Sequence, residues 1–296
     1  MTGSKSRAGT AYSLPLTLWI SLFFLIPMVI VFLYSFLTRD VGGGVRGEFS
    51  LDAYATIFKQ TSEGKFIYID ILGYTLAMAV GATVITIALA LPCAYYIART
   101  KHNSLLLFLV IIPFWVNFMI RIYAWVAILG QSGILNGFLV GIGILKEPVQ
   151  FLFNDWAVLI VLVYTNLPFA ILPLFTTIEK FDFGLLEAAR DLGASHHRSL
   201  WSVMLPNIQG GIFTAILFTF IPIFGTFAVP DVMGNTSVFM LGQLITSKLK
   251  YTGDYPMASS LSVVILILTV AGLVLYSAFQ RKQEQNKRVT IAEETE

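Results

Sequence analysis

Residues 181–206 read FDFGLLEAARDLGASHHRSLWSVMLP and lie between two apolar runs, Trp156–Ile178 and Ile208–Val229. Leu185, Leu186, Ala188, Ala189 and Leu192 recur at helical spacing, so the segment is expected to open as a short helix with one apolar stripe. Gly193 suits the left-handed residue that ends such a helix. Ser195 suits the cap of a second helix running on to Leu205 and Pro206. Glu187 and Arg190 stand three apart and are expected to pair on the exposed side. Ala188 and Ala189 leave a low surface that a partner's groove can approach closely. A helix–turn–helix carried between two apolar runs reads in two ways, as a docking element or as an amphipathic loop resting on a bilayer.

The flanking runs set the scale. A helix rises about 1.5 Å per residue, so about 20 apolar residues cross a hydrocarbon core about 30 Å thick. Six stretches meet that length: Ser13–Leu37, Ile71–Ala98, Ser104–Leu129, Trp156–Ile178, Ile208–Val229 and Ser259–Phe279. The chain is 56% hydrophobic and 12% charged over 296 residues, and its mean hydropathy is +0.78. Soluble domains carry about 25% charged residues, so lipid is the expected solvent. The fold class is an all-α membrane protein with six transmembrane helices. Residues 1–12 are read as a cytoplasmic N-terminus, 13–280 as the membrane domain with the segment 181–206 inside it, and 281–296 as a frayed polar tail. The first run is too long for a signal peptide and no small-residue cleavage site follows it, which favours a retained helix. The glycine-rich piece Ile134–Leu145 is too short to span and reads as interfacial or re-entrant.

Lysine and arginine bias gives orientation. More of them fall on the side holding both termini, Lys101, Lys180, Arg190 and Arg198 among them, so that side is placed in the cytoplasm. Pro27, Pro92, Pro113, Pro168, Pro173 and Pro222 lie within spans, and each removes a backbone donor that neighbours or a wet cavity must offset. A bundle broken so often suits a transporter better than an anchor.

Function classes narrow by exclusion. A net charge of +2 indicates no surface for nucleic acid. The single cysteine, Cys93, reads as a packing thiol, and with three histidines it falls short of a metal site. There is no Gly-x-x-x-x-Gly-Lys-Ser/Thr phosphate loop and no evident hydrolytic cluster, so the chain is read as a non-enzyme that binds no cofactor itself. No span centre holds Asp or Glu, which counts against an ion-coupled secondary transporter.

The spacing Glu187-Ala188-Ala189, three residues, Gly193, then eleven residues to Leu205-Pro206 resembles the signature of ABC-importer permeases of the MetI-like family. Val203 stands where that family usually has isoleucine. The resemblance implies that the first short helix docks into a cytoplasmic ATPase dimer. Glu187, Ala188, Ala189, Arg190, Asp191, Gly193, Leu205 and Pro206 would then couple this chain to a partner that uses ATP and Mg. It also implies a second permease subunit and a periplasmic substrate-binding protein. Ile112–Tyr123 (IPFWVNFMIRIY), Phe227–Gly234 (FAVPDVMG), Leu186–Ser195 and Gly253-Asp254-Tyr255-Pro256 are similar to the spermidine/putrescine permeases, B-type member. Permeases for iron, phosphonates and opines share parts of the pattern.

A linear polycation calls for carboxylates and aromatic faces. Trp115, Asn117, Tyr123, Tyr164, Asn166 and Asp231 are the residues expected along such a path. Arg121, counted along an unbroken helix from Ser104, falls near the outer edge of the membrane. There it is expected to pair with an acid such as Asp231, in a structural or gating role.

Overall fold

The computed structural model describes residues 13–61, 64–234 and 239–293; the expected N-terminus, 1–12, lies outside them. The chain divides into two compact units, Met1–Tyr68 with Leu244–Glu296, and Ile69–Gln243.

In the first unit, α1 (Ser13–Tyr34) carries a π-helical stretch at Ser21–Leu25, just before Pro27. The π stretch rearranges hydrogen bonding where the proline N–H is missing. A small hairpin follows, β1 (Leu37–Arg39) antiparallel to β2 (Val45–Phe49), and then α2 (Asp52–Ile57). The sequence reading contained no strands here. The last helix of the unit, named α13 below, packs on α1, α2 and β1. Its start is fastened to the hairpin. Gly43 and Gly44 adopt φ of +89° and +102°, Gly253 adopts +58°, and Gly44 N–H donates to the Gly253 carbonyl at 3.0 Å. A Cβ on Gly253 would stand 3.2 Å from the Gly43 Cα, so glycine permits this approach. Arg39 donates to the Thr252 carbonyl at 2.6 Å and lies 3.9 Å from Asp254, which in turn caps the helix by accepting from Met257 N–H.

The second unit is built on α3 (Ile67–Arg99), α7 (Asp155–Glu179) and α10 (Gln209–Phe224). The buried face of α3 is Thr75, Ala79, Ala82, Thr83, Thr86, Ala90, Ala94 and Ile97, a stripe of mostly small residues at helical spacing. Small side chains let helix axes approach closely in lipid. The threonine hydroxyls are satisfied inside the helix: Thr83 donates to Ala79 O and Thr86 to Ala82 O, both at 2.7 Å. Ala90, Ala94 and Ile97 of this stripe share one buried cluster with Ala170, Leu174 and Ile178 of α7, the most buried span. Tyr74 OH donates to Asp155 at 2.7 Å at its start, where Asn154 supplies the cap. α7 and α10 pack closely, and at Gly211 any Cβ would collide with the Thr177 side chain.

Two expectations about spans change. The stretch expected as one helix, Ser104–Leu129, is broken: α4 (Asn103–Trp115) ends in a 3₁₀ turn at Ile112–Trp115, Val116 is extended, and α5 (Phe118–Leu129) starts afresh on an Asn117 cap. Pro113 and the Asn117 side chain, which accepts from Met119 N–H at 2.9 Å, account for the break. The piece expected to be interfacial or re-entrant forms α6 (Ile134–Gly141), which instead continues α5 in one candidate span, Phe118–Gly141, and is pinned by buried Asn136, whose amide bonds Gly130 O and both backbone groups of Val149. Next come the two helices of the docking segment, α8 (Gly184–Asp191) and α9 (His196–Asn207), the latter meeting α10 at a 73° bend. Then follow α11 (Ala228–Met233), α12 (Leu241–Lys250) and α13 (Tyr255–Glu293). Helix thus continues to Glu293, through most of the segment expected to fray. Among the described residues five helical stretches are long and apolar enough to cross a membrane (α1, α3, α5 continued by α6 as Phe118–Gly141, α7, and Tyr255–Val274 of α13), or up to six if the bent pair α9–α10 is one span. Cys93 is exposed on α3 and packs in no core.

Candidate functional sites

The segment 181–206 is two short helices turned at a glycine. Gly193 takes φ +88°, nothing lies within 4 Å of where its Cβ would be, and Ser195 caps α9 by accepting from Arg198 N–H. The pair is seated by Leu186, Met204 and Ile208, which join Ala90, Ala94, Ile97, Leu174 and Ile178 in one buried cluster. Arg99, at the end of α3, donates to Tyr95 OH at 2.9 Å and lies over the Phe183 ring at 5.4 Å, covering the root of α8.

The expected apolar stripe is not buried as a whole. Leu186 is covered and Ala189 half-covered, whereas Leu185 and Ala188 are exposed and Leu192 is 91% exposed. Leucines at helical spacing share a face, but this chain supplies nothing to cover them. Glu187, Arg190 and Asp191 are also exposed, and Glu187 and Arg190 form no ion pair, contrary to expectation. An exposed pair gains little from Coulomb attraction in water while ordering two side chains. Leu205 is half-buried and Pro206 exposed in the last turn of α9.

The expected path residues do not form one lining. Trp115 is 77% exposed and touches Phe108 edge-on, and Tyr123 is exposed on α5, beyond the break. Asn117 serves as the α5 cap. Tyr164 stacks edge-on with Trp125 at 5.3 Å. Asn166 is buried and donates within its own helix, to Leu162 O at 2.8 Å and Thr165 Oγ1 at 3.2 Å, so it is a packing amide. Asp231 is exposed on α11, a helix that packs against α5 and α7.

Arg121 forms no ion pair with Asp231. Its guanidinium lies over two rings instead, Phe114 at 5.2 Å and Phe118 at 5.7 Å, one on each side of the break, and its buried Nε has no hydrogen-bond partner. Phe114 meets Phe169 of α7 edge-on at 5.0 Å. Both halves of the broken helix are therefore anchored to α7 by ring pairs, Phe114–Phe169 before the break and Trp125–Tyr164 after it. Sequence reasoning did not single out Phe114, Phe118, Trp125 or Phe169. The signal available for them was the spacing of aromatics around Pro113 and Asn117.

The profile of a family described as the inner membrane component of binding-protein-dependent transport systems matches residues 84–289. A spermidine/putrescine transport system permease protein, PotB, of Escherichia coli K12 is 36% identical over 92% of this chain and 97% of its own. PotB of Salmonella typhimurium LT2 is 37% identical over 92% of this chain and 93% of its own. Among solved structures, a bacterial ABC transporter involved in the import of the acidic polysaccharide alginate superposes with a TM-score of 0.75 at 16% identity, over 94% of this chain and 96% of that one. At that identity the likeness concerns the fold.

Proposed function

We propose that this chain, which belongs to the family of inner-membrane components of binding-protein-dependent transport systems, is a permease subunit that carries polyamines from periplasm to cytoplasm at the expense of ATP hydrolysed by a partner. The observation that carries the reading is the α8–α9 projection. Its root is buried in the helix core while its tip offers Leu185, Ala188 and Leu192 uncovered, with Glu187, Arg190 and Asp191 beside them. Such a patch requires a complementary surface, and a groove on a cytoplasmic ATPase dimer fits a low, alanine-centred helix. Glu187, Ala188, Ala189, Arg190, Asp191, Gly193, Leu205 and Pro206 form or support that contact. ATP and Mg belong to the ATPase, and this chain hydrolyses nothing.

The cargo reading draws on the polyamine permeases at 36–37% identity over nearly their full length. A second permease pairs with this chain, and a periplasmic binding protein delivers cargo to the face opposite α8–α9. Both termini are cytoplasmic by the lysine and arginine bias, and the membrane is the inner one. In the cycle, closure of the ATPase dimer pulls on α8–α9, and the core cluster passes the displacement to α3, α7 and α10.

Glu187→Lys reverses a charge at the tip, and Gly193→Pro forces φ near −65° where +88° is needed. Both variants are expected to insert and to lose polyamine uptake and stimulated ATPase activity. Normal uptake of labelled spermidine by either sinks the coupling role, and failure of the wild-type system to move any polyamine sinks the cargo reading.

A further inference from the structure

Between α3, α9 and α10 runs an apolar groove of about 460 Å³. Val80 to Leu91 of α3 and Ile212 to Phe220 of α10 form its walls, and Trp201 and Leu205 close the end where α9 turns into α10. Among the described residues lining it the one hydroxyl is that of Thr83, which donates within its own helix to Ala79 O at 2.7 Å, so the groove is dry. From Val80 to Leu91 the wall covers about 16 Å, at about 1.5 Å of rise per residue. A hydrocarbon core about 30 Å thick gives each leaflet about 15 Å. The groove therefore matches the depth of one layer of acyl chains, roughly half of what a spanning helix would occupy. Its α9 end carries the chemistry of a membrane boundary. Trp201 is 71% exposed there, and amphipathic rings collect at headgroup level. It lies on the π-helical stretch Leu200–Met204, a kind of bulge that recurs at functional sites. Arg198 stands three residues before Trp201, hence on the same side of α9 and beyond the end of the groove. Its side chain is exposed, and its guanidinium has no ion pair or hydrogen bond among the described residues.

We propose that this groove seats an acyl chain of an anionic phospholipid of the cytoplasmic leaflet, and that Arg198 holds the lipid phosphate at its mouth. The chain covers Val84 and Ala88, which line the groove and are exposed on α3. The Trp201 ring lies at the boundary between chain and headgroup. A guanidinium offers a phosphate two parallel donors, and basic groups between membrane helices on the cytoplasmic side recognise anionic lipid heads. A second permease's spanning helix is the rival occupant. It neither fits a groove one leaflet deep nor supplies the anion that Arg198 calls for. A seated lipid ties α9 to α3 and α10, the helices that receive displacement from the docking segment. The site rests on the orientation proposed above, with α8–α9 cytoplasmic, and is independent of the cargo.

The test titrates the assembled transporter, with its ATPase and second permease, in detergent with dioleoylphosphatidylglycerol or dioleoylphosphatidylcholine, and native mass spectrometry counts the lipids retained. The wild type is expected to bind the anionic lipid about fivefold more tightly, the worth of one basic side chain at an anionic surface. Arg198→Gln is expected to abolish that preference while leaving phosphatidylcholine binding unchanged, and Arg198→Lys to keep it within about twofold. Ala88→Phe fills an exposed part of the groove and is expected to weaken both lipids, roughly fivefold, by displacing one or two methylenes. Val84→Phe serves in its place if that variant does not assemble. Headgroup preference and chain seating thus fail separately, which general damage to the fold does not produce. Equal binding of the two lipids by the wild type, or an unchanged preference in Arg198→Gln, overturns the headgroup contact. Unchanged binding in the filled variant overturns the seat and leaves the groove to a helix of the second permease. Displacement of the lipid by an equal concentration of inorganic phosphate overturns the role of the chain. Lipid selection in detergent does not depend on which side α9 faces, so it can fail while Glu187→Lys still abolishes uptake, and the permease reading then stands.

Discussion

Two interruptions in the helical core unit were built differently. At Ile208 the chain bends by 73° between α9 and α10, yet both backbone groups of Ile208 are paired. Ile208 N–H donates to Met204 O at 3.0 Å, its carbonyl accepts from Gly211 and Ile212 N–H, and the Asn207 amide donates to Val203 O. A bend residue with both backbone groups paired can be buried, and Ile208 is 1% exposed. At Val116 the chain also turns out of helix, but Val116 is itself exposed and its surroundings are exposed rings and a half-covered arginine. A buried interruption with its backbone groups paired is held in place by the core around it. An exposed one is held by its own cap and by ring contacts.

Substitutions that fill, empty or uncap each interruption put this contrast at risk. The largest effect is expected from Ile208→Ala, which empties the joint. Loss of a buried isoleucine side chain typically costs about 2–5 kcal/mol. Thermal unfolding of the detergent-solubilised protein measures it, together with a drop in ATPase-coupled uptake. A smaller loss, about 1–3 kcal/mol, is expected from Gly211→Ala, whose new methyl meets Thr177 where α7 and α10 close on each other. The smallest is expected from Asn117→Ala, which removes one cap at the open break, about 1 kcal/mol. If Asn117→Ala destabilises as much as Ile208→Ala, the break is a joint too and the contrast fails.

Legibility in the sequence followed how local the cause was. Gly193 at positive φ and Ser195 as a cap were readable because each depends on a backbone conformation that few residues favour. The Val116 break was masked by its apolar surroundings, although Pro113 followed four residues later by Asn117 carried the signal. The apolar stripe of α8 was correctly placed on one face, but periodicity does not say what covers a face, and Leu192 proved open. Arg121 was expected to find an acid because a charge in a membrane calls for a partner. Two aromatic faces took that place, and no rule of sequence spacing selects rings over a carboxylate. The clasp of Arg39 and Gly43–Gly44 on Thr252, Gly253 and Asp254 joins points some two hundred residues apart and had no local trace at all.

The sequence by itself determined that the chain is a bundle of membrane helices bearing a two-helix segment turned at Gly193, and which family it resembles. Apolar run length, capping residues and a gapped motif are properties of the chain read in order. Only the tertiary structure decided which threonines and alanines form the core face, that Asn166 packs while Arg121 stacks, and that one interruption is buried and the other exposed. Those outcomes depend on which groups meet across the fold and whether their hydrogen bonds are satisfied there, and pairing of that kind exists only once the helices have assembled.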